Sequence, residues 1–90
     1  MITIHKFELT EYGQKFTVEM PDRAEILHVG CDARGTMFVW AIVNTDMPMC
    51  PRRFYIAGTG HEFPVAAIER KHHGTVQVGA FVWHVFEVFG

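Results

Sequence analysis

The sequence predicts a mainly β protein: a small antiparallel barrel or sandwich of seven to eight short strands, with at most one short helix. Three observations carry this. Apolar residues alternate with polar ones or gather in short unbroken runs, as strands require. Turn-forming residues punctuate the chain at close intervals, at Tyr12-Gly13, Pro21-Asp22, Asp32 to Gly35, Gly58 to Gly60 and Gly79-Ala80. Two runs, Met37 to Val43 and Phe81 to Phe89, are apolar on both faces and need cover on both.

The last strand organises the rest, because seven of the nine side chains from Phe81 to Phe89 are apolar. Extended, it places Phe81, Trp83, Val85, Glu87 and Phe89 on one face and Val82, His84, Phe86 and Val88 on the other. Such a strand belongs in the middle of a sheet or at a subunit contact. Met37 to Val43 is its natural facing layer.

Taken in order, Ile2, Ile4, Phe7 and Leu9 mark a first strand whose apolar parity slips by one, as a β-bulge near His5 and Lys6 would produce. Phe16, Val18 and Met20 alternate with Lys15, Thr17 and Glu19, a half-buried strand that Pro21 ends. Glu25 to Cys31 is extended, and Asp32 to Gly35 turns it into Met37 to Val43, with glycine supplying a positive φ. Asn44 to Pro51, with two prolines, reads as a loop, and Arg53 to Ala57 as a strand. Val65 to Arg70 fits a short helix after Pro64, a strand or an irregular loop, and the sequence leaves all three open. Gly74 to Val78 restarts the sheet, and Gly79-Ala80 is a two-residue link that makes a hairpin with the last strand.

Residues 1–90 make a single β domain, since a chain of this length has room for one core. With 49% hydrophobic residues it carries more apolar surface than one copy so small can easily hide, which predicts a homo-oligomer. A net charge of −2 argues against binding a nucleic-acid polymer. Cys31 and Cys50 form no metal or redox motif, and no leader or membrane-length apolar run is present, so a cytoplasmic protein with free thiols is expected.

Six histidines show no zinc-ligand spacing, leaving only a site assembled in space from His28, His84 and Cys31. No metal or cofactor is therefore assigned. The chain contains no serine, which excludes a serine hydrolase, and Glu62, Glu69 and Glu87 share no evident face. Binding is favoured over catalysis, with no catalytic residue assigned. His84 reads as a core histidine held by a hydrogen bond.

The segment with the character of a ligand loop is Gly58-Thr59-Gly60-His61, whose glycines let backbone N–H groups converge on an anion. Arg53 begins the strand leading to it, and Arg70 and Lys71 open a second basic cluster, Arg70 to His73. Facing one another, within a chain or between neighbours, these would enclose a phosphate, with Trp40 among the aromatics available to stack on a base. The candidate ligand-binding residues are thus Arg53, Gly58, Thr59, Gly60, His61, Arg70, Lys71 and Trp40. The simpler alternatives are that the glycines only turn the chain and the basic run is a solvated loop.

In order, Ala24 to Val29, Trp40 to Val43, Gly58 to His61, Gly74 to Gln77 and Phe81 to Glu87 resemble a family of small proteins encoded by tailed bacteriophages and prophages. The resemblance spans residues 24 to 87 and implies a setting rather than a mechanism. That setting is an accessory protein acting in the host bacterial cytoplasm against a host defence, and the basic clusters with Gly58 to His61 then favour an oligomeric trap for a small nucleotide-type immune signal. The alternatives it implies are docking on a host protein complex, or a minor virion or assembly role.

Overall fold

The computed structural model describes residues 1–90. It holds seven strands and no helix: β1 (Ile2–Leu9), β2 (Lys15–Pro21), β3 (Glu25–Cys31), β4 (Met37–Asn44), β5 (Met49–Gly58), β6 (Arg70–Val78) and β7 (Phe81–Val88). They form a three-stranded sheet ordered β1-β4-β3 and a four-stranded sheet ordered β2-β5-β7-β6. Every pairing is antiparallel. The two doubly apolar runs are both interior strands, β4 in one sheet and β7 in the other, so the only edges are on strands with polar residues.

The sheets pack face to face. Val39, Ala41 and Val43 of β4 meet Phe54 and Ile56 of β5 and Val85 of β7, all at most 1% exposed. Each of these side chains other than Ala41 stabilises the fold by about 1.5–3 kcal/mol through removal from water. The outer face of the four-stranded sheet is covered as well. There Tyr55, Ala57, Val65 and Val88 form a second cluster, with Phe63, Ile68 and Phe86 packed on it.

That cover settles the segment the sequence left open. Val65 to Glu69 is neither helix nor strand but a pair of tight turns, in which Ala66 N donates to Phe63 O (3.2 Å) and Ile68 N to Val65 O (3.0 Å). Its apolar residues Phe63, Val65 and Ile68 do not share one helical face, and docking on the sheet buries them instead.

Three expectations are corrected. β1 has no bulge, since it pairs with β4 without a register shift from Ile2↔Asn44 to Leu9↔Met37. Its parity slips because Phe7 and Leu9 face the core while Ile2 and Ile4 point out of the other side. β5 begins at Met49, inside the expected loop. Over Met49–Arg53 it pairs with β2 alone, its pairing with β7 starting at Phe54, so Pro51 and its missing N–H are tolerated on a free edge. β6 begins at Arg70 rather than Gly74, with a register shift between His72 and Gly74.

The hairpin of β6 and β7 forms as expected, with Val78 opposite Phe81 and Gly79 at φ 61°. No helix of the molecule is long and apolar enough to cross a membrane.

Candidate functional site

β5 ends at Gly58, opposite Trp83 of β7. The chain then turns tightly, with His61 N donating to Gly58 O (3.1 Å) and Gly60 at φ 84°, a conformation that glycine adopts without strain. A side chain at Gly58 would displace His61. A Cβ there would lie 2.5 Å from His61 Nδ1 and 3.0 Å from the Trp83 ring. The bare glycine lets the His61 imidazole settle over the strand end, edge-on to Trp83 at 6.0 Å.

The turn is fastened to β7 by Thr59 N, which donates to Val82 O (3.1 Å). This places Thr59 Oγ1 2.6 Å from His84 Nε2. The other imidazole nitrogen, Nδ1, lies 3.0 Å from Thr75 Oγ1 on the neighbouring strand. Thr75 Oγ1 in turn lies 3.1 Å from His72 Nε2. Four side chains from the loop, β7 and β6 thus form one hydrogen-bonded row on the outer face of the four-stranded sheet.

The three contacts of the row can be donated in either direction along it, and in both directions each nitrogen of His84 is engaged by a threonine hydroxyl. His84 is therefore locked in one orientation. It borders a pocket of about 300 Å³ whose walls are Thr59, Gly60, His61, Phe63, His84 and Phe86 over the floor of Ala57 and Gly58. That volume sits at the lower end of the roughly 300–1,000 Å³ of small-molecule sites, enough for one ring system with its substituents. The lining includes no carboxylate.

A second polar group occupies the opposite face of the same sheet. Arg52 grips Glu87 through two parallel bonds, Nε to Oε2 (2.7 Å) and Nη2 to Oε1 (2.8 Å), and its Nη1 donates to the backbone carbonyl of Ala24. His73 Nε2 lies 2.9 Å from Glu87 Oε1. Glu87 is only 5% exposed. Burial opposes its ionisation, but the hydrogen bonds from Arg52 and His73 and their charges outweigh it and hold the carboxyl at about 2. The same bonds, against the opposing effect of burial, raise the Arg52 guanidinium above its ordinary value. No buried polar atom of this trio lacks a partner within the fold, so it ties β5, β7 and the entry to β3 together as a structural brace.

The sequence-predicted residues divide between these places. Gly58, Thr59, Gly60 and His61 line the 300 Å³ pocket together. Arg53 is on the same outer face by its alternation with Tyr55 and Ala57, exposed and in no ion pair. Four steps along the strand separate it from Ala57, about 13 Å. Arg70 does not reach the loop: its Nη1 donates to Ala66 O (2.7 Å) and Ile68 O (3.3 Å), and its guanidinium lies over the Phe63 ring at 5.2 Å. It holds down the cover.

Lys71 pairs with Glu87 across the strands and lines a different pocket, of about 520 Å³, beside Arg52 and His73. Trp40 lies in β4, in the other sheet, paired with Lys6 and His28. The pocket expected from Arg70 and Lys71 facing Gly58 to His61 is therefore not formed within one chain. Nor are His28, His84 and Cys31 brought together, since His28 and Cys31 are on β3 and His84 on β7. The sequence reading missed Thr75, His72, Phe63 and Phe86, and placed His84 in the core rather than at the edge of a pocket.

A family model described as Domain of unknown function (DUF7352) matches residues 1–89. No curated protein and no solved structure matches the chain.

Proposed function

The chain belongs to that family, whose description names no activity, and we propose that it is a binding protein that captures a small phosphorylated, nucleotide-type ligand at the Gly58–His61 pocket without turning it over. One observation carries the reading: a glycine-lined loop, two imidazoles and two phenylalanine rings converge on a single one-ring-sized pocket, on the face that also bears Arg53. Phe63 and Phe86, packed on each other at 4.9 Å, offer an apolar wall to a planar ring, His61 and the Thr59–His84 row offer donors and acceptors to its edge, and Arg53 lies about 13 Å off, within reach of a diphosphate tail.

Capture rather than turnover is favoured by the chemistry of the row. Both nitrogens of His84 are engaged by hydroxyls, and no carboxylate borders the pocket to stabilise an imidazolium during proton transfer. The setting rests on the phage resemblance: in the host cytoplasm, removing a nucleotide-type immune signal from solution would protect the infecting phage.

Equilibrium dialysis of the protein against a panel of nucleoside mono- and diphosphates, ADP-ribose derivatives and cyclic nucleotides tests this, followed by heating to recover the ligand intact. We expect one class to be retained unchanged. His61→Ala and Thr59→Val should each weaken it about five- to tenfold, the loss of roughly one hydrogen bond. Arg53→Ala should weaken the phosphorylated form and leave its dephosphorylated counterpart alone. Recovery of a converted ligand would overturn capture in favour of catalysis. If nothing on the panel is retained, docking on a host protein becomes the better reading.

A further inference from the structure

The cavity of about 520 Å³ has one wall from the four-stranded sheet, with Arg52, Lys71, His73 and Glu87, and another from the turn joining β2 to β3, with Asp22, Arg23 and Glu25. The brace inside it has hydrogen-bonding capacity left over. Glu87 is ionised and only accepts, so the Nε2 that bonds it carries the proton, and in the neutral His73 ring Nδ1 is a bare lone pair. No donor in the chain meets it. The His73 side chain is 6% exposed and no fully buried side-chain nitrogen or oxygen lacks a partner, so Nδ1 opens to the one cavity that His73 lines. Arg52 adds donors to this acceptor: three of its five N–H groups hold Glu87 and Ala24 O, and two remain.

The mouth of the cavity is charged and unpaired. Lys71 on one side, and Asp22, Arg23 and Glu25 on the other, make no ion pair with one another or elsewhere. Arg23 is also the one non-glycine residue at positive φ, 64°, a strained conformation of the kind that clusters at functional sites. Around the whole cavity Arg23, Arg52 and Lys71 balance Asp22, Glu25 and Glu87, so the lining favours neither sign of charge alone. Ile26 and Phe89 supply its apolar part.

We propose that this cavity is a second binding site, for a small zwitterion: an α-amino acid with an apolar side chain. The ammonium donates to His73 Nδ1 and faces the carboxylates of the turn, the carboxylate accepts from the remaining Arg52 N–H groups and faces Lys71, and the side chain lies along Ile26 and Phe89. A group of one charge would satisfy half of these partners. The volume is ample for an amino acid with accompanying water. The Gly58–His61 pocket is on the opposite face of the sheet, so the two sites fill independently and neither proposal rests on the other.

Calorimetric titration of the full chain at about pH 8, above the ordinary imidazole range, tests the site with leucine and phenylalanine. The controls are 4-methylpentanoate and 3-methylbutylamine, which are leucine without its amino group and without its carboxylate. At least one amino acid should bind, and each single-charge analogue should bind about tenfold more weakly or worse. In His73→Gln the amide still donates to Glu87 from where Nε2 stood, but nothing replaces the Nδ1 lone pair. That variant should weaken the amino acid about tenfold while its urea midpoint stays closer to wild type than that of His73→Ala. His61→Ala, at the other pocket, should leave amino-acid affinity unchanged. Nitrogen-15 spectra of the wild type supply a readout free of mutation: His73 should be the Nε2–H tautomer, and its Nδ1 resonance should move as the amino acid saturates. No binding of either amino acid at about 10 mM, an analogue that binds as tightly as leucine, or a His73 Nδ1 resonance that stays still at saturation would each overturn the proposal.

Discussion

His72 and His73 are neighbours in sequence and belong to different parts of the molecule. His73 points inward to Glu87, its side chain 6% exposed, in a trio that leaves no buried polar atom unpartnered. His72 points outward to Thr75, at the solvent-facing end of the row that runs to His84 and the pocket. The same residue type thus serves as a brace on one face and as part of the proposed binding surface on the other. What separates them is how fully the fold satisfies them. Arg52, Glu87 and His73 bond one another beside the 520 Å³ pocket and leave no buried polar atom unpartnered, so their loss is expensive; the outer network shares its partners with solvent, so it is free to exchange one of them for the proposed ligand.

The widest gap between the two should appear on removing Arg52. Arg52→Ala leaves the Glu87 carboxylate buried beside His73 alone and strips Ala24 O of its donor. Breaking a buried pair from one side costs about 3–5 kcal/mol. Urea unfolding should show that loss, and the folded fraction should still bind ligand at the outer pocket with unchanged affinity. A loss below about 1 kcal/mol would mean that the trio is no brace.

Acid should reveal the same asymmetry without a mutation. The Glu87 carboxyl is held at about 2 in the folded chain against an ordinary value of 4.5. Its folded value is depressed, so its contribution is whole above 4.5 and drains away as pH falls from there towards 2. The contribution is on the order of 3 kcal/mol, since each tenfold change in proton affinity between the folded and unfolded chain is worth about 1.4 kcal/mol. Urea midpoints measured between neutrality and pH 3 should fall steeply for the wild type. In Glu87→Gln, starting from a lower stability, the decline should be shallower, and equal slopes would remove Glu87 as its source.

How much of this contrast was readable beforehand depends on one residue. The Gly79-Ala80 turn sets Val78 opposite Phe81, and counting back along the hairpin puts Thr75 opposite His84, as the structure has it. The partner of His84 was therefore in the sequence once the turn was recognised. Continuing the count would set His73 opposite Phe86, on the outer face, and His72 opposite Glu87, on the inner. The register shift at His73 reverses this: His72 pairs with Phe86, and His73 reaches Glu87. A one-residue slip exchanges the two faces of everything beyond it, and its one sign in the sequence is Gly74, since a glycine inside a strand often marks a bulge. The strands, the hairpins and the Gly58 to His61 loop followed from alternation and turn chemistry. The cover over Tyr55 and Phe86 did not, because Phe63, Val65 and Ile68 have neither a strand's nor a helix's spacing and are ordered only by what they land on.

The finest test exchanges alanine for each histidine in turn. His73→Ala removes a bond to a buried carboxylate and the ring packed 6.2 Å from Phe54, and should cost about 1–3 kcal/mol of stability. His72 is exposed, and its bond to Thr75 competes with water. His72→Ala should therefore change stability by no more than about 0.5 kcal/mol. It acts elsewhere. Without His72, Thr75 Oγ1 loses one of its two imidazole partners and is freer to turn to solvent, so the imidazole at the pocket edge is held less firmly. Ligand affinity should drop severalfold in His72→Ala and hold in whatever His73→Ala protein remains folded. Measured side by side, the two variants separate the faces by one residue, and a His72→Ala protein that is both unstable and fully competent to bind would invert the assignment.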